Sequence, residues 1–112
     1  MNTYEIWVNL APGVNDLEFA KSVQEYMNWF LAQDLLVQYR LRRRKFGFGP
    51  EALGEFNISM DFRDLTQMDE AFLRAAERSG ELEQLHRAVY SAVRDFKSGL
   101  FRDFPDEVRG RS

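Results

Sequence analysis

Apolar and polar residues alternate over 54–62: Phe56, Ile58, Met60 and Phe62 fall on one side, Glu55, Asn57, Ser59 and Asp61 on the other. A helix would scatter those four apolar side chains around its circumference, whereas a strand lines them up, so the period of two predicts a half-buried strand. Burying each is worth roughly 1.5–3 kcal/mol, enough to hold off a one-residue register slip. Residues 35–46 behave alike, with Val37, Tyr39 and Leu41 against Gln38, Arg40, Arg42 and Arg44. A third strand opens the chain, where Tyr4, Ile6, Val8 and Leu10 alternate with Glu5, Trp7 and Asn9. Trp7 is the anomaly, a large aromatic residue on the polar side.

Between these strands the period changes. Ala11-Pro12-Gly13 ends the first strand, and Asn15 followed by Glu18 resembles a capping box. The helix it opens runs to about Gln33, with Leu17, Ala20, Val23, Met27, Phe30 and Leu31 at spacings of three and four. Phe19, Tyr26 and Trp29 widen its stripe. Residues 47–53 are too long for a two-residue hairpin turn, and their glycines and proline predict an ordered loop. Asp64 or Thr66 can cap a second helix carrying Leu65, Met68, Phe72 and Ala75 inward, with Gly80 at its C′ position. A third helical stretch begins at Glu81, with Leu82, Leu85, Val89 and Val93 on its stripe. Phe96 and Leu100 could prolong it. Gly99 weakens that reading, and Ser98, Leu100, Arg102 and Phe104 suit an edge strand over about 96–104, stopped by Pro105. A fourth strand is also needed to cover the helices. Residues 107–112 are expected to form a flexible tail to one domain spanning 1–112.

Composition narrows the chemistry. With 112 residues, 45% hydrophobic and 14% aromatic, the chain can bury a core without staples. It has no cysteine, which excludes a disulfide framework and thiol catalysis and fits a reducing compartment. Residues 1–10 alternate like a strand and lack the features of a signal peptide. No stretch approaches the roughly 18 apolar residues of a membrane span. A soluble cytoplasmic protein is expected. The net charge of −3 gives no overall attraction for nucleic acid. Arg42-Arg43-Arg44-Lys45-Phe46-Gly47-Phe48 faintly echoes an RNA-recognition motif, but that motif belongs on the third strand of such a fold. There the bare face offers Asn57, Ser59 and Asp61, with no aromatic pair to stack bases.

The order strand, helix, strand, strand, helical stretch, strand is the ferredoxin-like βαββαβ arrangement of the α+β class. On that order, on the strand Phe56-Asn57-Ile58-Ser59-Met60-Asp61-Phe62 leading into a helix at Asp64, and on His86, the chain resembles the dimeric α/β-barrel superfamily. There two sheets pack their bare faces together, which implies a homodimer. More narrowly, Arg43-Arg44-Lys45-Phe46-Gly47-Phe48-Gly49-Pro50, Leu53-Gly54-Glu55-Phe56 and Phe101-Arg102-Asp103-Phe104-Pro105-Asp106 look like a small bacterial family of uncharacterised single-domain proteins. That match implies a fold and no activity.

Two groups of residues could carry chemistry. The bare face would hold Trp7, Asn9, Arg40, Arg42 and Asn57, read as a dimer interface because interfaces are enriched in tryptophan. The plain alternative is a solvated surface with cross-strand pairs of roughly 0.2–1 kcal/mol each. The sharper one is a lined cavity where Arg40 or Arg42 clamps an anion. The second group is His86, the only histidine, with Tyr26, Trp29, Tyr39 and Tyr90. Its plain reading is core. Tyrosine hydroxyls on an apolar face nevertheless need partners, which is more pocket-like than a leucine stripe. His86 would then be a catalytic base and the aromatic residues would hold a ligand, in a cofactor-independent oxygenase or isomerase acting on an aromatic or other apolar compound. The alternative is a non-catalytic dimerisation or stress-response module. The superfamily resemblance implies two activities: oxidation of aromatic polyketides without a cofactor, or haem chemistry with His86 as axial ligand. No cofactor is expected otherwise. One histidine and no cysteine do not build a zinc site without unusual carboxylate help, and no phosphate-binding glycine loop opens a helix.

Overall fold

Each strand pairs antiparallel with its neighbours in one sheet, in the order β2-β3-β1-β4. In the computed structural model, which describes residues 1–77 and 80–105, the elements run β1 (Asn2–Leu10), α1 (Asp16–Ala32), β2 (Gln38–Arg43), β3 (Phe56–Phe62), α2 (Leu65–Ala76), α3 (Gly80–Tyr90) and β4 (Val93–Arg102). This is the ferredoxin-like α+β fold that the alternation predicts. The tail expected at 107–112 lies outside the described residues.

The register explains why one sheet face is apolar. Ile6 sits opposite Ile58, Val8 opposite Phe56, and Leu41 opposite Ile58 from the other side. Ile6, Val8, Phe56, Ile58, Met60 and Phe62 are buried, and α1 lays Phe19, Val23, Tyr26, Met27 and Phe30 over them. The capping box holds at its first half: Asn15 is extended, and its side chain accepts the Glu18 N–H at 3.0 Å. The helix ends as Asp34 turns into the left-handed region (φ 57°) and the Leu35 N–H bonds back to the Phe30 carbonyl at 2.9 Å. That turn delays the second strand. Leu35 and Leu36 are buried in the connection, and pairing as β2 starts at Gln38 rather than at 35.

A second expected boundary moves at the end of the third helix. Val93 is not on the third helical stripe. The helix closes with the Ala92 N–H on the Val89 carbonyl, and Val93 pairs with Leu10 as the first residue of β4. The ambiguous end is therefore a strand, paired with β1 at the edge of the sheet. A bulge lies where the register shifts between Trp7 and Asn9; Asp95 there is left-handed (φ 58°) and accepts Asn9 Nδ2 at 3.0 Å. In α2 the inward face is turned slightly from expectation. Met68 and Ala75 pack against the core and Phe72 borders it as expected, but the buried residues are Gln67 and Ala71, and Leu65 is half exposed. Gln67 fixes that rotation by accepting the Arg63 N–H at 2.7 Å and donating to the Asp34 carbonyl at 3.0 Å.

Candidate functional site

Between the sheet and the helices lies a cavity of about 250 Å³. The sheet supplies its floor through Tyr4, Met60 and Phe62, and α1 supplies Tyr26 and Phe30. The alanines of α2 (Ala71, Ala75 and Ala76) leave the space open, because small side chains stand where larger ones would fill it. His86 and Tyr90 close the wall from α3.

The aromatic cluster has definite geometry. His86 and Tyr90 are one helical turn apart, and their rings lie 4.5 Å apart, tilted by 32°. Tyr26 meets both edge-on, 5.8 Å from His86 and 6.2 Å from Tyr90. Phe72 closes the far side, edge-on to Tyr4 at 5.1 Å and to Phe62 at 6.1 Å. Burial, then the Glu83 carboxylate and then Tyr4 push the Tyr26 hydroxyl up to about 12. Tyr90 is also raised above its ordinary value, by burial first and then by Tyr26 and Tyr4. Both phenols are therefore neutral hydrogen-bond donors at physiological pH. Imidazole is the one side-chain type on the lining that ordinarily exchanges a proton near neutrality.

Of the residues that the sequence points to, Tyr26, His86 and Tyr90 come together on this cavity. Trp29 and Tyr39 do not line it, which corrects the pocket expected from the sequence. Trp29 packs edge-on against Phe30 at 5.1 Å, under the Arg74 guanidinium, and Tyr39 sits opposite Met60 on β2 against the core. Helical spacing could not separate them, since Tyr26 and Trp29 are neighbours at i, i+3 on one helix. Sequence reasoning missed Tyr4 and Phe72 as lining residues. Tyr4 was legible only as an inward strand position.

A haem does not fit these residues. The cavity is below the roughly 300–1,000 Å³ typical of drug-sized ligands, and the His86 ring faces Tyr90. Among the described residues, no three His, Asp or Glu side chains gather as a metal site, and no helix is long and apolar enough to cross a membrane.

The other sheet face carries a polar network. Ser59 Oγ donates to Glu5 at 2.7 Å, Asn57 Nδ2 donates to Glu5 Oε2 at 2.8 Å, and Arg42 Nη2 donates to Asn57 Oδ1 at 2.7 Å. Arg40 stands opposite Ser59, and Trp7, half-buried, stands opposite Asn57. Asn9 works inside the chain as well, accepting the Glu55 N–H at 2.9 Å.

The chain belongs to a family described as a family of unknown function (DUF6614), whose model matches residues 1–112. No curated protein matches it. Among solved structures it is similar to SnoaB, a cofactor-independent oxygenase from Streptomyces nogalater, with 17% identity, a TM-score of 0.66, and 94% of this chain and 97% of that one covered. It is similar to At3g17210 from Arabidopsis thaliana, with 9% identity, a TM-score of 0.72, and 96% and 99% covered. A dimeric ferredoxin-like protein of unknown function from Thermobifida fusca shares 12% identity, with a TM-score of 0.60 and 91% and 90% covered. At these identities the likeness shows the fold alone, the ferredoxin-like fold that two of the similar structures are described as having.

Proposed function

We propose that this chain, as one domain, forms a homodimer that binds a small aromatic compound in the cavity and oxidises it without a cofactor. The observation that carries this is the cluster of Tyr26, His86 and Tyr90 on an apolar cavity: a proton acceptor flanked by two phenols held neutral. His86 takes a proton from an acidic ring C–H of the substrate. The tyrosine hydroxyls donate to the oxygen on which the negative charge collects. The electron-rich anion passes one electron to O₂, and the two radicals combine as a hydroperoxide. Loss of water then leaves a ring carbonyl, so that CH₂ and O₂ become C=O and H₂O. SnoaB, of like fold, is described as a cofactor-independent oxygenase, which supports this reading over a non-catalytic dimerisation module.

The homodimer is supported by like-folded proteins described as dimeric and by a half-buried tryptophan on a helix-free sheet face. The lack of cysteine suits a reducing compartment such as the cytoplasm. Native mass spectrometry of the purified protein reads subunit count and retained ligand together, and so supplies the compound to assay. With that compound, His86→Ala and the milder His86→Gln should abolish oxygen uptake while leaving its affinity within about threefold of the parent's. Unchanged oxygen uptake in a folded variant would sink the reading and favour the module.

A further inference from the structure

One carboxylate stands beside the aromatic cluster and has no part in the reaction proposed there. Glu83 lies on α3 three residues before His86 and seven before Tyr90, so the three share one stripe of the helix. That stripe faces α1 at Tyr26, whose ring meets both His86 and Tyr90 edge-on. Burial comes first and the Glu83 carboxylate second in holding the Tyr26 phenol neutral, so the charge is felt across this seam.

The two oxygens of Glu83 differ. Oε1 accepts from Arg87 Nη2 at 3.1 Å, one turn on, and the Arg87 side chain is 73% exposed. Oε2 is buried, and no donor among the described residues reaches it. The Glu83 side chain as a whole is only 18% exposed. Withdrawing a carboxylate oxygen from water without a donor is costly. The ion pair therefore explains one oxygen and not the other.

Few groups can use that charge. Among the described residues, those facing His86 are Tyr26 from α1 and Tyr4 from β1, with Tyr90, Glu83 and Arg87 on its own helix. Towards the cavity α2 turns alanines and Phe72, and β4 brings Phe96 against Tyr90. A negative charge opposes ionisation of the phenols, so Glu83 does not activate them. It favours a cation, and the imidazole is the one group on the cavity lining that can become one.

We propose that Glu83 is a positioning residue for His86, holding a negative charge one helical turn from the imidazolium that forms when the base takes its proton. This role rests on His86 being the base of the reaction proposed above. There the ring C–H bond breaks, its electron pair stays on the substrate, and the proton sits on His86 until the hydroperoxide takes it back. Oε2 is unbalanced while the imidazole is neutral and gains a counter-charge as the proton arrives. The interaction thus strengthens in the charged intermediate rather than in the ground state.

The chain has one histidine, so its imidazole C–H proton gives one NMR signal whose pH titration needs no ligand. In the full chain Glu83→Gln, which keeps the shape and removes the charge, should lower the His86 midpoint by about one pH unit. Glu83→Asp, which keeps the charge and draws it back, should fall between the two, and decides the matter if the glutamine variant folds poorly. A Glu83 that serves only the Arg87 pair would move the melting temperature and leave the midpoint alone. Folded variants that titrate within about 0.2 unit of the parent would therefore overturn the proposal and leave His86 in place as the base. A parent imidazole that takes up no proton above about pH 4 would instead remove the base itself, and Glu83's role with it.

Discussion

Gly54 lies so close to β1 that a Cβ added there would sit 2.3 Å from the Val8 carbonyl carbon. No flexible side chain can yield, because the neighbour is backbone. Gly54→Ala should therefore cost at least the roughly 1–3 kcal/mol of an overpacked core, read as a lower denaturation midpoint. At Tyr26 the effect is electrostatic. Its hydroxyl ordinarily ionises near 10 and is pushed up to about 12 in the folded chain. Between those values the unfolded chain has lost that proton and the folded one keeps it. Folding stability is thus fully present below about pH 10 and falls, on the order of 2–3 kcal/mol, as pH rises towards about 12. Tyr26→Phe should flatten this part of the curve in pH-dependent urea melts. None of this is visible in a string of letters. Gly54 reads as a loop glycine, and the burial of Tyr26 depends on what α3 lays against it.

At the scale of elements, α2 is the least legible. Its stripe suggested that Leu65 points inward, yet hydrogen bonding by Gln67 turns Ala71 to the buried centre and leaves Leu65 half exposed. Gln67→Met keeps the volume and removes both bonds, leaving the Arg63 N–H and the Asp34 carbonyl without their partner. A loss of about 1–3 kcal/mol is expected in chemical denaturation. The same rotation puts alanines over the cavity. Ala75→Met should therefore fill space rather than break contacts, holding or raising the melting temperature while abolishing binding of the retained ligand. Calorimetry and a thermal melt on one preparation check both halves. The strands, by contrast, were readable because alternation is a local property: β3 begins at Phe56, and its inward set is the four residues that the pattern selects. The edge strand β4 was harder, since its burial is slight and its pairing with β1 is a long-range fact.

For the whole molecule, the two faces of the sheet divide the work. One is roofed by three helices that leave a cavity near α2 and α3, and the other carries a polar network interrupted by Trp7. Trp7→Glu should convert the proposed dimer to a monomer at micromolar concentration without lowering the melting temperature of the single chain. Sedimentation and native mass spectrometry check the subunit count. A dimer that survives the substitution would place the contact elsewhere.

The sequence by itself determined the strands, the first helix with its Asn15 cap, and hence the ferredoxin-like order, because period and capping act over a few residues. It also singled out Tyr26, His86 and Tyr90. Only the tertiary structure decided that these three meet while Trp29 and Tyr39 stand apart, and that the Glu83 charge reaches Tyr26. Those outcomes depend on helix rotation and on contacts between residues distant in the chain, and neither leaves a periodic trace.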